Sequence, residues 1–241
     1  VGEEKDVMSF KKDETKLYDL GGKFLMPGLI EGHGHFSGMG SSLINLNLLS
    51  TTSWQQISDL VKEKAMNAKT NEWIMGRGWH QEKWKPTLET TFNGYPYHDK
   101  LSSVSTENPV ILYHASGHAL FANKKAMEIA KINNETSDPI GGRIVRDHKG
   151  EAIGVFEERA MDLIARPYQE YLQSLNKEEQ TQLWLDGIYA AQKECLKYGI
   201  TSFQDAGSKF HELEKFRKLA EEDSLRIRLW VMAKKRYNRK F

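Results

Sequence analysis

Two histidines, His33 and His35, stand one residue apart in a segment whose glycines let another group approach closely. On a strand, side chains two positions apart lie on the same face, so the two imidazoles would be close enough to bind one metal ion. Two imidazoles make half of a zinc site. The alternative is a polar turn carrying two half-exposed histidines, and the surrounding sequence has to decide between these interpretations.

The histidine pair belongs to a longer segment, residues 20–36, in which an apolar run and a Pro27-Gly28 turn precede His33. Five further motifs follow in order along the chain, at residues 76–84, 116–126, 141–145, 150–161 and 198–207. Together these segments resemble the amidohydrolase superfamily, and within it amidohydrolase family 3, the YtcJ-like group. The similarity extends along nearly the whole chain.

The resemblance implies an α/β fold built on a partial (β/α)8 TIM barrel of the metal-dependent hydrolase type. Residues 27–241 would form the N-terminal portion of that barrel domain, with a family-specific insertion at about 40–160. Residues 1–26 would belong to a flanking N-terminal β-sandwich, and their short apolar groups around the Gly21-Gly22 turn suit strands.

The resemblance also implies a metal-dependent amidohydrolase, which hydrolyses a non-peptide C–N bond, such as that of an amide, with metal-activated water. One or two divalent ions, with zinc favoured, would be held partly by His33 and His35. Glu158 matches the glutamate of the family's G-V-x-x-E motif and would bridge or orient the metals; a helix-start charge or a salt bridge is the alternative. The other ligands and the catalytic aspartate come from later strands in the family. We therefore expect an N-terminal part of a longer hydrolase, inactive by itself.

Four further residues are candidates for substrate contact. His118 follows an apolar strand, at the end where α/β enzymes place their chemistry. Asp205 matches the family's G-x-T-S-x-x-D motif at another strand end, and an N-cap for the following helix is the alternative. Arg77 and Trp79, in a glycine loop, would offer anion recognition and apolar contact, although tryptophans at this spacing are often core. His114, on a strand, is interpreted as part of a buried polar network.

Hydrophobic spacing and capping signals predict the elements that would position these residues. Ser53 is typical of an N-cap and Gly199 of a helix C-terminus. Helices are predicted at about 53–68, 177–197 and 209–221, and strands at 73–79, 109–114, 200–204 and 227–232. The last three predicted elements are a strand, a helix and a strand in succession. This order is typical of a (β/α) barrel.

Composition fits an enzyme domain and disfavours several other classes. Hydrophobic residues make up 39% of the 241 residues, enough for a sizeable core. The net charge of +1 gives no electrostatic reason to expect nucleic acid or a membrane surface, so the expected partner is a small-molecule substrate, and a homo-oligomer is compatible with the sequence. The single cysteine, Cys195, is predicted to be a core thiol. No apolar run reaches the ~18 residues of a membrane span. We expect a cytoplasmic protein, but the sequence starts at Val1 and not at a methionine, so an export signal before this residue stays an alternative.

Two hypotheses of different classes follow from the sequence. In the first, the chain is a segment of a metal-dependent amidohydrolase. In the second, it is a non-catalytic binding or interaction module that uses the surface around His118 and Trp79. Half a barrel would leave strand edges unpaired, which argues against the second hypothesis.

Overall fold

The computed structural model describes residues 2–85 and 91–234. The helices, in chain order, are α1 (Glu4–Met8), α2 (Phe36–Ile44), α3 (Trp54–Asn67), α4 (Asp99–Val104), α5 (Lys124–Ile129), α6 (Asp162–Ser174), α7 (Lys177–Lys197) and α8 (Phe210–Glu221). The strands are β1 (Leu29–Gly34), β2 (Leu46–Asn47), β3 (Ile74–Trp79), β4 (Val110–His114), β5 (Ala119–Ala122), β6 (Gly142–Arg146), β7 (Ala152–Glu158), β8 (Ile200–Ser208) and β9 (Arg228–Ala233). Short 3-10 turns cover Gln81–Lys83 and Arg159–Met161.

Three parallel strands form the smaller sheet, in the order β1, β8, β9. In its register, Gly34 of β1 lies opposite Asp205 of β8, so the end of the histidine-bearing strand and this carboxylate meet at the same edge. Helices α2, α7 and α8 cover one face, and their apolar side chains pack with Phe203 of β8. Parallel strands joined through helices explain this layering, because such connections must run over a face of the sheet.

The larger sheet has six strands in the order β2, β3, β4, β5, β7, β6. Strands β2, β3 and β4 run parallel, and the remaining neighbours are antiparallel. Both faces are buried, since Val110 and Leu112 of β4 point into one apolar cluster and Ile111 between them points into another. All six strands come from the part of the chain between β1 and β8.

Helices α2 and α7 pack closely at a pair of glycines. A Cβ atom at Gly40 of α2 would overlap the carbonyl oxygen of Gly187 in α7, so glycine is required for the two backbones to approach this far. Because α2 begins directly after His35, this contact helps to fix where the histidine-bearing segment leaves its strand.

Most predicted elements are confirmed. The Ser53 hydroxyl accepts the Gln56 backbone N–H and begins α3, while Gly199 follows α7 with a φ of 73° that favours glycine. Strand β8 is longer than predicted and ends at Ser208 instead of residue 204. Cys195 is buried, as expected of a core thiol.

The N-terminal segment differs from the prediction. Residues 2–26 contain the short helix α1 and no strand, and their large apolar side chains, such as Phe10 and Phe24, are exposed. A strand needs a neighbouring strand to pair its backbone groups, and no described residue supplies one here. Short apolar groups beside a turn are therefore an insufficient signal for a strand, because they do not specify the neighbouring strand that would pair with it.

Among the helices of residues 2–85 and 91–234, none combines the length and the apolar character that crossing a bilayer requires.

Candidate active site

His33 and His35 lie side by side at the carboxyl end of β1, as their spacing predicts. His33 is in the last residues of the strand, and His35, in extended backbone conformation, is the N-cap residue of α2. Both side chains are exposed, and their ring centroids are 6.3 Å apart with the planes inclined at 69°. The Glu31 carboxylate accepts a hydrogen bond from the backbone N–H of His33 at 3.0 Å, and this contact stabilises the backbone from Glu31 to His33.

Two open imidazoles suit a divalent metal as far as donor type is concerned. The rings of His33 and His35 are close enough for both imidazoles to be ligands of one divalent ion. Their exposure and the glycines beside them leave room for the rings to turn. Within the described ranges, no three His, Cys, Asp or Glu side chains are grouped closely enough to hold a metal ion. The residues present therefore fit two of the three or more ligands that such a site needs.

Asp205 is next to this pair but does not face a substrate. Its side chain is 1% exposed, and one carboxylate oxygen accepts the backbone N–H of Phe36 at 2.8 Å while the other accepts the Ser208 hydroxyl at 2.8 Å. The prediction of substrate contact is wrong in this structure, because both oxygens are engaged in the interior. The carboxylate instead accepts a hydrogen bond from a free backbone N–H at the start of α2. The positive end of the helix dipole also stabilises a negative charge at this position.

The alternative prediction for Asp205, a cap for the following helix, is also wrong. Helix α8 begins after Lys209, whose backbone N–H is accepted by Glu212 at 2.9 Å. Asp205 instead binds the first residue of α2, Phe36, which lies 169 residues earlier in the chain. Its contact fixes the residue that follows His35, so Asp205 supports the histidine pair from behind.

Trp79 is a core residue and not part of a pocket, which corrects the sequence prediction. Its side chain is fully buried, its indole N–H donates to the Leu112 carbonyl at 2.8 Å, and its ring stacks on Trp84 at 6.0 Å. The reason is a register irregularity between β3 and β4 after Arg77, where Gly78 has a φ of 112°. This bulge turns Trp79 away from the face on which Arg77 lies.

Arg77 stays exposed on β3, opposite Tyr113 of β4. A Cβ atom at Gly117 would lie 3.5 Å from an Arg77 guanidinium nitrogen, so the cation reaches the loop that carries His118. Within the described part of the chain, no salt bridge to Arg77 is found. A guanidinium with this placement suits an anionic group of a ligand, and the substrate-contact role of Arg77 stays a prediction.

His118 and Glu158 form a pair at the same edge of the larger sheet. The His118 Nδ1 and Glu158 Oε1 atoms are 3.0 Å apart, and the Glu158 backbone N–H donates to the His118 carbonyl at 2.9 Å. Glu158 thus meets His118 and is not grouped with His33 and His35. The salt bridge, which is the alternative interpretation of Glu158, describes its contact in this structure, and within the described residues Glu158 belongs to no group of three side chains that could hold a metal ion.

A polar network that the sequence suggested only through His114 connects this edge to the interior. The His114 ring contacts the Ser116 hydroxyl at 2.7 Å and the Gln81 side-chain oxygen at 3.1 Å. Burial lowers the pKa of His114, and the neighbouring His80, whose ring centroid is 4.7 Å away, lowers it further. Ser116 and Gln81 lie in motifs that resemble the family's, but the sequence predicts no role for either, because their partners become neighbours only in the fold.

The comparisons with known proteins agree on one family. The sequence model described as "Amidohydrolase family" matches residues 16–240. Protein LONG AFTER FAR-RED 3 of Arabidopsis thaliana is 30% identical over 210 residues, which cover 87% of this chain and 33% of that protein. The putative amidohydrolase YtcJ of Bacillus subtilis is 30% identical over 189 residues, covering 77% of this chain and 35% of its relative. The chain thus spans about a third of the length of these curated relatives.

A solved structure shows the same fold. An uncharacterized metal-dependent hydrolase from Pyrococcus horikoshii OT3 superposes with a TM-score of 0.59 at 21% sequence identity, over 95% of this chain and 40% of that one. This likeness supports a mixed α/β arrangement of sheets and helices. With a family match over most of its length, and with the paired histidines at the end of a parallel strand, the chain belongs to the amidohydrolase family.

Proposed function

We propose that this chain carries the first part of the active site of a metal-dependent amidohydrolase, and that His33 and His35 hold a divalent metal ion there. The observation that carries the proposal is their arrangement: two exposed imidazoles, side by side, at the carboxyl end of a parallel strand. Imidazole nitrogens are common ligands of zinc, which is the ion we propose here. Glu158 is left out of the proposed ligand set because its carboxylate contacts His118.

The proposed reaction is hydrolysis of a non-peptide C–N bond, such as that of an amide, in a small-molecule substrate. When bound, the ion would lower the pKa of a water molecule towards neutrality and polarise the carbonyl group to be attacked. Membership of the amidohydrolase family supports this class of reaction.

The residues of this chain have distinct tasks in the proposal. His33 and His35 bind, Glu31 braces the backbone of His33, and Asp205 fixes the start of α2 immediately after His35. Ligand geometry of this kind depends on such supporting contacts, because a metal site loosened by a fraction of an ångström loses affinity. Arg77, exposed at the edge of the larger sheet, is proposed to contact the substrate.

The proposal extends to the fold. We propose that β1, β8 and β9, with the helices that cover them, are successive units of a (β/α)8 barrel, and that the six-stranded sheet is the family's insertion between the first two units. The parallel order of the three strands and the β8–α8–β9 connection support this assignment.

A zinc competition titration with a chromophoric chelator tests the proposal on the 241-residue chain near pH 7.5, where imidazole is neutral. We expect one weak site, whose affinity falls at least about tenfold in His33→Ala and in His35→Ala. His148→Ala, which removes another exposed histidine, serves as the matched control and should change nothing. Equal zinc binding by all four proteins would contradict the proposal and favour a non-catalytic binding module.

A further inference from the structure

The contact between His118 and Glu158 determines which nitrogen of the histidine carries a proton. A carboxylate only accepts hydrogen bonds, so the Nδ1 atom, 3.0 Å from Glu158 Oε1, must be the donor. In the neutral ring the other nitrogen, Nε2, is then an acceptor. Within the described residues, Nε2 makes no hydrogen bond, and the side chain is 71% exposed. The pair therefore presents an open acceptor nitrogen to solvent.

Backbone contacts hold both partners in register. The Glu158 N–H donates to the His118 carbonyl, and the His118 N–H donates to the Ser116 hydroxyl at 3.2 Å. Glu157, the neighbour of Glu158, is itself held by Tyr95 at 3.1 Å and by Arg143 at 2.8 Å. The two partners are thus fixed through the main chain and not only through their side chains.

Glu158 occupies a backbone conformation that residues with a side chain rarely adopt. Its φ of 52° and ψ of −127° lie where glycine is favoured, and a glutamate there is strained. The side-chain contact is not a sufficient structural reason for this strain, because an ion pair whose partners are 71% and 58% exposed adds little stability. Backbone strain that no local contact compensates is typical of residues in functional sites.

The location of the pair fits a ligand-binding role. His118 lies in the loop after β4, and Glu158 ends β7, which runs antiparallel to β5, so both are at the edge where β3 and β4 end. Carboxyl ends of parallel strands are where α/β proteins bind small molecules. The guanidinium of Arg77 reaches the same loop beside Gly117.

We propose that His118 accepts a hydrogen bond through Nε2 from an N–H group of the bound small molecule, and that Glu158 is the positioning residue that fixes the tautomer of His118. The ligand class is an amide or amine that donates a hydrogen bond, with room for an anionic group at Arg77. The choice of an amide rests on the proposed function. The positioning of His118 by Glu158 does not.

The first test measures the tautomer directly in the full 241-residue chain. With ¹⁵N-labelled histidine at about pH 8.5, where imidazoles are neutral, long-range ¹H–¹⁵N spectra distinguish the two forms, and His118→Gln assigns the signal. We expect His118 to be mainly protonated on Nδ1, and Glu158→Ala to shift it to the Nε2-protonated form that an unpartnered histidine side chain prefers. Glu157→Gln is the matched control and should leave the signal unchanged. A His118 ring that is protonated on Nε2 in the unaltered chain, or unmoved by Glu158→Ala, overturns the proposal.

The second test separates positioning from a merely structural role. Diethyl pyrocarbonate acylates unprotonated imidazole nitrogen, and peptide mapping follows each histidine. We expect His118 acylation to slow several-fold in Glu158→Ala, with His148 as the internal reference. The thermal midpoint should change by no more than about 3 °C, and Glu158→Gly should melt above Glu158→Ala because glycine relieves the strain.

A large loss of thermal stability in Glu158→Ala, or unchanged acylation of His118, would show that Glu158 only supports the loop. These measurements use no metal and no substrate. They can therefore fail while zinc binding at His33 and His35 is confirmed, or succeed while it is not.

Discussion

Replacement of Asp205 tests the support behind the histidine pair. Asp205→Ala removes the acceptor of the buried Phe36 N–H and of the Ser208 hydroxyl. A hydrogen bond to a charged group contributes about 1.5–3 kcal/mol, and a second, neutral donor left without its partner adds about 1 kcal/mol. We therefore expect the free energy of unfolding to fall by about 3 kcal/mol.

Urea unfolding followed by circular dichroism measures this change, with the midpoint and the slope determined for each variant. Ser208→Ala removes only one of the two contacts and should cost about 1 kcal/mol. Asp205→Asn keeps an acceptor oxygen and should fall between the two. An Asp205→Ala variant that loses less stability than Ser208→Ala would refute the role of the carboxylate at the start of α2.

The same variant should also weaken zinc binding, although Asp205 is buried away from the ligands. Phe36 is the residue after His35, so loss of its N–H contact frees the start of α2 and the backbone of His35. A supporting contact of this kind is worth about 10–100-fold in metal affinity. Unchanged zinc affinity in a folded Asp205→Ala chain would show that α2 holds its position without this contact.

Three further predictions concern packing, pH and thiol chemistry. Gly40→Ala should cost more than about 2 kcal/mol in urea unfolding because its Cβ overlaps the backbone of α7, whereas Gly38→Ala, whose Cβ would meet its nearest atom at 3.4 Å, should cost little; equal costs would contradict the close approach of the helices. Burial lowers the pKa of His98 and of His114 below the usual 6.5, so the unfolded chain takes up protons first, and stability should fall as the pH drops through about 6.5. A double replacement of these two histidines by glutamine should reduce that fall, and an unchanged pH profile would refute the assignment. Cys195 is buried, so a disulfide reagent should react with its thiol only when the chain opens, and burial also raises the pKa of this thiol; immediate reaction in the native chain would contradict its burial.

Local signals were sufficient to predict part of the fold, including helices α3, α7 and α8. A serine before an apolar periodic run begins a helix because its hydroxyl satisfies a free N–H, and Ser53 does so for α3. Gly199 ends the segment of α7 for a similarly local reason, since its positive φ suits a residue without a Cβ atom. The side-by-side placement of His33 and His35 is local as well, because it follows from the period of a strand.

The roles that could not be predicted depend on contacts between distant residues. Asp205 and Phe36 are 169 residues apart, and the local sequence around either residue does not predict their contact. Trp79 is buried because of one irregularity at Gly78, which changes the face that the next side chain occupies. Glu158 has His118 as its partner for the same kind of reason, since the two meet only when β5 and β7 pair.

The measurement that tests the central claim most directly is a zinc titration of the ¹⁵N-histidine-labelled chain, followed through the ring signals of each histidine. Two imidazoles that bind one ion must respond together, so the signals of His33 and His35 should move in parallel and stop changing at the same zinc concentration. The signals of His114 and His148 should stay where they are. Movement of only one signal of the pair, or zinc binding at other histidines before these two, would contradict the account.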